Sequence, residues 1–362
     1  RPSERYQFSL SGHYEVAPDV EAYTEFQYTN NVSDAQIAPT ATFSPLWNVN
    51  CDNPFIQDNP GIPLTEAYGC TPEDIAAGTL KESTRTNYRN VEGGGRNSRL
   101  TNTAFRWVGG LEGSFNDVWR WNVFAQYAET SDESFDTNYF VADLVNQALN
   151  VVLDDDGNPV CRDPSGGCVP YNIFQRTPDG QSLVTQEALD FIQGVGVSSG
   201  STVQTVFGGD IQVDLGEYGI VLPWTDAGVG LLVGAEYRKD ELDFRPDQAL
   251  RTGGLGGALQ PPVSGEVDVS EVFAEVEVPI ITDAPLAEEL TFRGQYRYSR
   301  YEAFGNDVQN DFNTNAYGAS LSWAPISDVK LRAQYQRAVR APNVVELYDG
   351  LANGLPNLTS KG

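Results

Sequence analysis

Apolar and polar positions alternate with a period of two along nearly the whole chain, and about ten strands can be read from that alternation. The first sets Tyr6, Phe8, Leu10, Gly12, Tyr14 and Val16 against Gln7, Ser9, Ser11, His13 and Glu15. The second sets Val20, Ala22, Thr24, Phe26 and Tyr28 against Glu21, Tyr23, Glu25 and Gln27. Equally clear are Val203 to Val213, with Phe207 and Ile211 on the apolar side, and Leu290 to Tyr298, with Arg293 and Arg297 on the polar side. Successive side chains of a strand face opposite ways, so each segment has one apolar and one polar face.

A soluble sandwich alternates too, and the connections distinguish the two cases. Ala17-Pro18-Asp19, Asn116-Asp117-Val118 and Pro325-Ile326-Ser327-Asp328 read as tight turns, whereas residues 31–101, 132–201 and 245–264 read as long loops. Short turns at one end and long loops at the other are the pattern of a transmembrane antiparallel β-barrel. Aromatics near the ends of the apolar faces (Tyr6, Tyr14, Phe26, Tyr28, Trp323, Tyr335) suit the two lipid–water boundaries. Within the loops, Tyr139–Leu149 and Thr185–Gly194 have helical spacing, and Val151 to Val160 reads as a small hairpin closed by an Asp-Gly turn.

Composition agrees. Seventeen Tyr, 17 Phe, 6 Trp and 35 Gly accompany only 40% hydrophobic residues, as expected where a single face of each strand meets lipid. No apolar run approaches the ~18 residues of a membrane-spanning helix. A formal net charge of -27 repels phosphate and excludes a nucleic-acid partner. The four cysteines fall as Cys51 with Cys70 and Cys161 with Cys168, each pair in a Pro/Gly/Asn/Asp-rich segment. Two local disulfides in an oxidising compartment follow, and neither pair has the spacing of a zinc site.

The run Cys161–Phe174 (CRDPSGGCVPYNIF) resembles a disulfide-closed extracellular loop of TonB-dependent outer-membrane receptors. More specific is Val329–Tyr348 (VKLRAQYQRAVRAPNVVELY), similar to a strand of that family that ends in Arg-Ala-Pro-Asn and leads into an extracellular loop. The resemblance implies about ten strands of a 22-stranded barrel, with residues 1–362 forming a partial barrel domain and the plug and C-terminal strands absent. It also implies uptake of a scarce large nutrient such as a siderophore or oligosaccharide, energised by the TonB complex through the missing plug. Outer-membrane lipid and lipopolysaccharide are the other partners implied. The chain begins at Arg1 without a signal segment and stops at Leu358–Gly362, so it reads as a processed or truncated piece.

Candidate chemistry is sparse. Trp47, Phe55, Tyr68, Tyr139, Phe140, Tyr171, Phe174 and Tyr348 fall in the loops, where aromatic faces stack on sugar rings or catechol-type chelators; packing of the loops on themselves is the competing use. Asp154 and Asp156, with Asp155 and Asn158, offer oxygens to Ca²⁺, but the distal Glu of an EF-hand loop is missing, so a polar turn is expected and no cofactor is required. Arg293, Arg297, Lys330 and Arg332 share the polar faces of adjacent strands with Glu271, Glu275 and Glu277, so a charged wall paired with itself or with a plug is expected, with contact to an anionic substrate the lesser alternative. His13, the lone histidine, lacks the partners of an acid–base site, which weighs against a ten-stranded protease-type barrel. A passive porin or adhesion barrel is the other alternative.

Overall fold

The computed structural model describes residues 2–41, 47–59, 64–82, 88–116, 118–255 and 259–349. Asp117 of the second turn and the run Leu358–Gly362 lie outside the described residues, as does Arg1. Ten long strands pair antiparallel in one sheet: β1 (Ser3–Ala17), β2 (Val20–Ile37), β5 (Arg96–Phe115), β6 (Trp119–Phe140), β9 (Gln193–Asp214), β10 (Gly230–Pro246), β11 (Val263–Ala284), β12 (Ala287–Gly305), β13 (Val308–Ile326) and β14 (Val329–Arg337). Each pairs with its neighbour in the chain's order of long strands, so the sheet is a meander with β1 and β14 at its edges. Two short hairpins, β3 (Asn48–Asn50) with β4 (Leu80–Glu82) and β7 (Val151–Leu153) with β8 (Pro159–Cys161), sit in the connections. So do the helices α1 (Pro54–Gln57), α2 (Leu64–Ala67), α3 (Pro72–Ala77), α4 (Ala142–Leu149), α5 (Gln186–Ile192), α6 (Gln248–Arg251) and α7 (Val344–Tyr348).

Register carries the two faces across the whole sheet. Leu10 lies opposite Phe26, Phe26 opposite Trp107, Trp107 opposite Tyr127 and Tyr127 opposite Thr205. Further along, Val233 meets Ala274, Ala274 meets Tyr296, Tyr296 meets Tyr317, and Ala319 on the same side of β13 meets Tyr335. A one-residue slip at any pair would invert every later side chain, so this continuity shows that the alternation read strand by strand is one surface. Its large side chains are exposed: Phe8 57%, Val123 48%, Phe207 55%, Tyr335 66%.

The strands outrun their alternation. β2 continues to Ile37, β6 to Phe140, and β9 begins at Gln193, so the long loops are shorter than residues 31–101 and 132–201. Past Asn30, Thr103 and Ser131 apolar residues are few and fall on both faces (Val32, Ile37, Leu100, Phe135), and a period of two leaves no trace where neither face is consistently apolar. Loop length also alternates less regularly than expected. The connection between β12 and β13, at the long-loop end, is only Asn306-Asp307, both with left-handed φ (50° and 60°), as a tight hairpin needs. At the other end, β9 and β10 are joined by fifteen residues, 215–229.

The helical expectations land close. Tyr139 and Phe140 still belong to β6, and α4 starts at Ala142; Thr185 caps α5, its hydroxyl accepting from the Ala188 amide. The Val151 hairpin forms with Gly157 at φ 80° in its turn.

Candidate functional site

At the long-loop end, the described parts of residues 38–95 and residues 141–192 fold against one another into a cap. Its core is Trp47, Phe140, Val145, Ala148, Leu149, Tyr171, Ile173, Ala188, Leu189 and Ile192. The chain enters it through Asn138, which takes a left-handed φ of 65° at a bulge in β6 and donates its amide to the Gly95 carbonyl (2.8 Å). Asn tolerates this conformation better than a branched residue. Beyond the bulge, Phe140 enters the core and Tyr139 lies under the Arg96 guanidinium, 5.3 Å from ring centre to carbon.

Buried amides tie the two loops together. Asn50 accepts from the Val151 amide (3.1 Å) and donates to the Val151 carbonyl (2.8 Å), while Asn53 donates to the Leu149 carbonyl (2.8 Å). The Tyr171 hydroxyl donates to Asn90 Oδ1 (3.0 Å). In a site closed to water these bonds matter mainly because leaving either partner unpaired is costly, ~1–3 kcal/mol. Burial, with the nearby Tyr88 and Glu92, pushes the Tyr171 phenol up, and burial and Glu92 push that of Tyr88 up to about 12. Disulfides close the same loops, Cys51 with Cys70 and Cys161 with Cys168. The third loop joins through the Ala142 amide, which donates to Gly254 (2.7 Å).

Arg162 bridges the loops at the surface, donating to both Asp52 oxygens (2.6 and 2.5 Å). Burial works to raise the Asp52 pKa, but Arg162 and Asn50 outweigh it and hold the carboxyl below its ordinary value of 3.8. A carboxylate with a depressed folded pKa stabilises the fold above its unfolded pKa, and that contribution disappears as pH falls through the folded value. Protease resistance of the cap is therefore expected to be unchanged from pH 8 to 5 and to weaken below about pH 4. In Asp52→Asn this acid sensitivity should shrink; limited proteolysis of both proteins across the pH series checks it, and identical profiles would remove Asp52 from the account.

The structure uses the sequence-nominated aromatics unequally. Trp47 (3% exposed) packs edge-on against Phe140 at 5.7 Å, Tyr171 is fully buried, and Phe55 is buried in α1. Tyr68 and Phe174 meet edge-to-face at 6.3 Å and, with Tyr139, keep part of their surface open. Tyr348 belongs elsewhere: α7 follows the Arg340-Ala341-Pro342-Asn343 segment, capped by Asn343 and Glu346, and packs Val344 and Tyr348 on Val267, Val269, Tyr301 and Ala303. Asp154 is a turn clamp. Its Oδ1 accepts from the amides of Asp156 (2.9 Å) and Asn158 (2.8 Å), and among the described residues no group of three His, Cys, Asp or Glu could hold a metal.

The polar face pairs with itself: Arg293 with Glu277 (2.7 Å), Arg297 with Glu271 (2.8 Å) and Lys330 with Glu289 (2.8 Å), an acid outside the three read from the sequence. His13 is exposed, with Glu21 3.4 Å away. A belt that went unread in the sequence crosses five strands: Glu25 to Arg106 (3.4 Å), Arg106 to Gln126 (2.7 Å), Gln126 to Gln204 (2.7 Å), Gln204 to Asp240 (2.8 Å) and Asp240 to Arg238 (3.1 Å). Gln on the polar positions of consecutive strands was its signal, invisible until the register was known.

A meandering antiparallel wall, apolar on one face, paired and polar on the other, and capped by loops at one end, is the architecture of a receptor-type β-barrel. The family model described as "TonB dependent receptor-like, beta-barrel" matches residues 8–361, and the chain belongs to that family. Among solved structures it is similar to the alcaligin outer membrane receptor FauA of Bordetella pertussis (8% identity, TM-score 0.43, 90% of this chain and 34% of that one). It is also similar to BauA, the ferric preacinetobactin receptor of Acinetobacter baumannii (10% identity, TM-score 0.30, 92% and 45%). The chain thus spans less than half the length of either. No curated protein matches it. Members of this family are transport receptors, not enzymes.

Proposed function

We propose that this chain is the wall and capture cap of an outer-membrane receptor that takes up a scarce large nutrient, a siderophore, an oligosaccharide or similar, with energy from the TonB complex. The observation that carries the reading is the cap itself: two long loops welded into one core above a wall that is apolar on one side only. In this reading the apolar face meets lipid, the cap faces the cell exterior, and the polar face lines the lumen. Tyr68, Tyr139 and Phe174 are the rings that meet ligand, and Trp47, Phe55 and Tyr171 hold the surface on which they stand. The cap is acidic, with seven Asp/Glu and three Lys/Arg in residues 38–95 and eight and two in 141–192, which steers neutral or cationic solutes inward better than anions.

The test is uptake of labelled siderophores and oligosaccharides by cells expressing the intact protein. Import should vanish when TonB is removed, and should fall at least about tenfold when residues 142–192 are replaced by a short linker while the barrel still assembles. Import indifferent to TonB would make the protein a passive pore; import indifferent to the cap would move capture elsewhere.

A further inference from the structure

The connection between β9 and β10 departs from its neighbours. The other turns at that end join their strands in two or three residues, but here 215–229 intervene, reading LGEYGIVLPWTDAGV. The segment exposes Tyr218 (58%), Ile220 (51%), Val221 (45%) and Trp224 (65%). It contains Glu217 and Asp226 but no Lys or Arg. Soluble surfaces rarely show so contiguous an apolar run without a partner.

Its attachments fix how it lies. At one end the Tyr218 hydroxyl accepts from the indole N–H of Trp119 (2.8 Å), with the rings 6.5 Å apart. At the other, the Trp224 carbonyl accepts from the Thr282 amide (3.1 Å), and the Thr282 hydroxyl donates to that of buried Thr225 (3.1 Å). Trp119 is on β6 and Thr282 on β11, so the segment runs along the rim past the ends of β9 and β10 instead of projecting away from it. Trp119 stands on the apolar face, opposite Phe115 and Val213. The rim continues at the next hairpin, where Leu286 (74% exposed) sits at a left-handed φ of 62° and its carbonyl accepts from the Trp323 indole N–H (2.9 Å). Both indoles thus direct their N–H groups from the apolar band toward the turns, the orientation an amphipathic ring takes at a lipid–water boundary.

We propose that residues 218–224 form an in-plane anchor that lies in the headgroup layer of the bilayer leaflet at the short-turn end, with Trp224 and Ile220 inserted among the upper acyl carbons. The occupant is phospholipid and not a protein, because the strip is continuous with the apolar face through Trp119 and Tyr218. Lacking cationic side chains, it binds by apolar and interfacial contact with no demand for anionic lipid. The inference rests on the membrane reading above, and the experiment separates the two.

The intact protein is placed in phosphatidylethanolamine–phosphatidylcholine vesicles whose acyl chains are brominated either near the headgroup (carbons 6 and 7) or deep (carbons 11 and 12). The emission of Trp224 is taken as the difference from Trp224→Phe, and that of Trp107, on the apolar face, as the difference from Trp107→Phe. Trp224 should be quenched at least about twice as strongly by shallow as by deep bromines and shielded from aqueous iodide, with Trp107 quenched in both lipids. Trp107 quenched while Trp224 responds only to iodide would overturn the anchor and leave the membrane reading intact. Neither quenched would overturn both. As an independent measure, the double substitution Ile220→Ser with Val221→Ser should lower thermal stability in vesicles but not in detergent micelles; an equal loss in both would mean the strip packs on protein.

Discussion

Replacing Tyr171 by Ala is expected to melt the cap while leaving the sheet folded. Tyr171 is fully buried, lies edge-on to Phe140 (6.1 Å) and Tyr88 (6.3 Å), and links the two loops through Asn90. Deleting a buried aromatic ring costs ~3–5 kcal/mol, and Asn90 would additionally lose its donor. The cap has a buried core of its own, so the loss of stability is expected to stay local to it. Hydrogen exchange should therefore quicken at least about a hundredfold across Asn48–Asn50 and Ala142–Leu149, with β11 to β13 unchanged. Tyr171→Phe, which keeps the ring but leaves Asn90 Oδ1 without its donor, should cost less, ~1–3 kcal/mol. Equal effects of the two substitutions would mean that the hydrogen bond, and not the packing, holds the loops together.

A second large effect is expected from Val123→Arg. Val123 is on the apolar face, opposite Leu111 and Gly209 and four residues beyond Trp119, which begins β6. A cation on the lipid side near the bilayer midplane costs ~2–4 kcal/mol. Gln212→Arg, on the polar side of the neighbouring β9, should cost much less because that face meets water or protein. Urea unfolding in lipid vesicles compares them directly. If both arginines cost the same, the apolar face does not face lipid and the assignment of the two surfaces fails.

The sheet was legible because a strand has a period of two and this protein keeps one face apolar over many residues; Tyr6 to Val16 and Leu290 to Tyr298 disclose both strand and facing without help. The same logic explains what escaped. Above Asn30 and Ser131 the two faces are alike, so the upper halves of β2 and β6 read as loop. The Asn306-Asp307 turn was hidden because its strands end in mixed residues, and the expectation of long loops at that end passed over it. Helices α4 and α5 were visible in their spacing, to within three residues. The partly open aromatics Tyr68, Tyr139 and Phe174 could not be separated from the packing ones, since Trp47 and Tyr171 are buried in one cluster with Phe140, Leu149 and Leu189, from parts of the chain far removed in sequence. Among short motifs, Arg340-Ala341-Pro342-Asn343 announced an end of strand, but α7 packs on Val267 of β11 and Tyr301 of β12, strands that do not neighbour β14, and only the order of the whole sheet places them there.

The span of the Asn50–Val151 and Asn90–Tyr171 contacts also sets an order of events during assembly. Their partners are separated by 101 and 81 residues, and closing loops of that length in an open chain carries a substantial entropic penalty. Pairing of β2, β5, β6 and β9 removes most of it by delivering the roots of both loops to one end of the sheet, where the Thr40 hydroxyl meets the Asn138 carbonyl (2.7 Å). The cap is thus a late structure, unable to close over strands that have paired out of register, and its completion reports that the wall beneath it was built correctly.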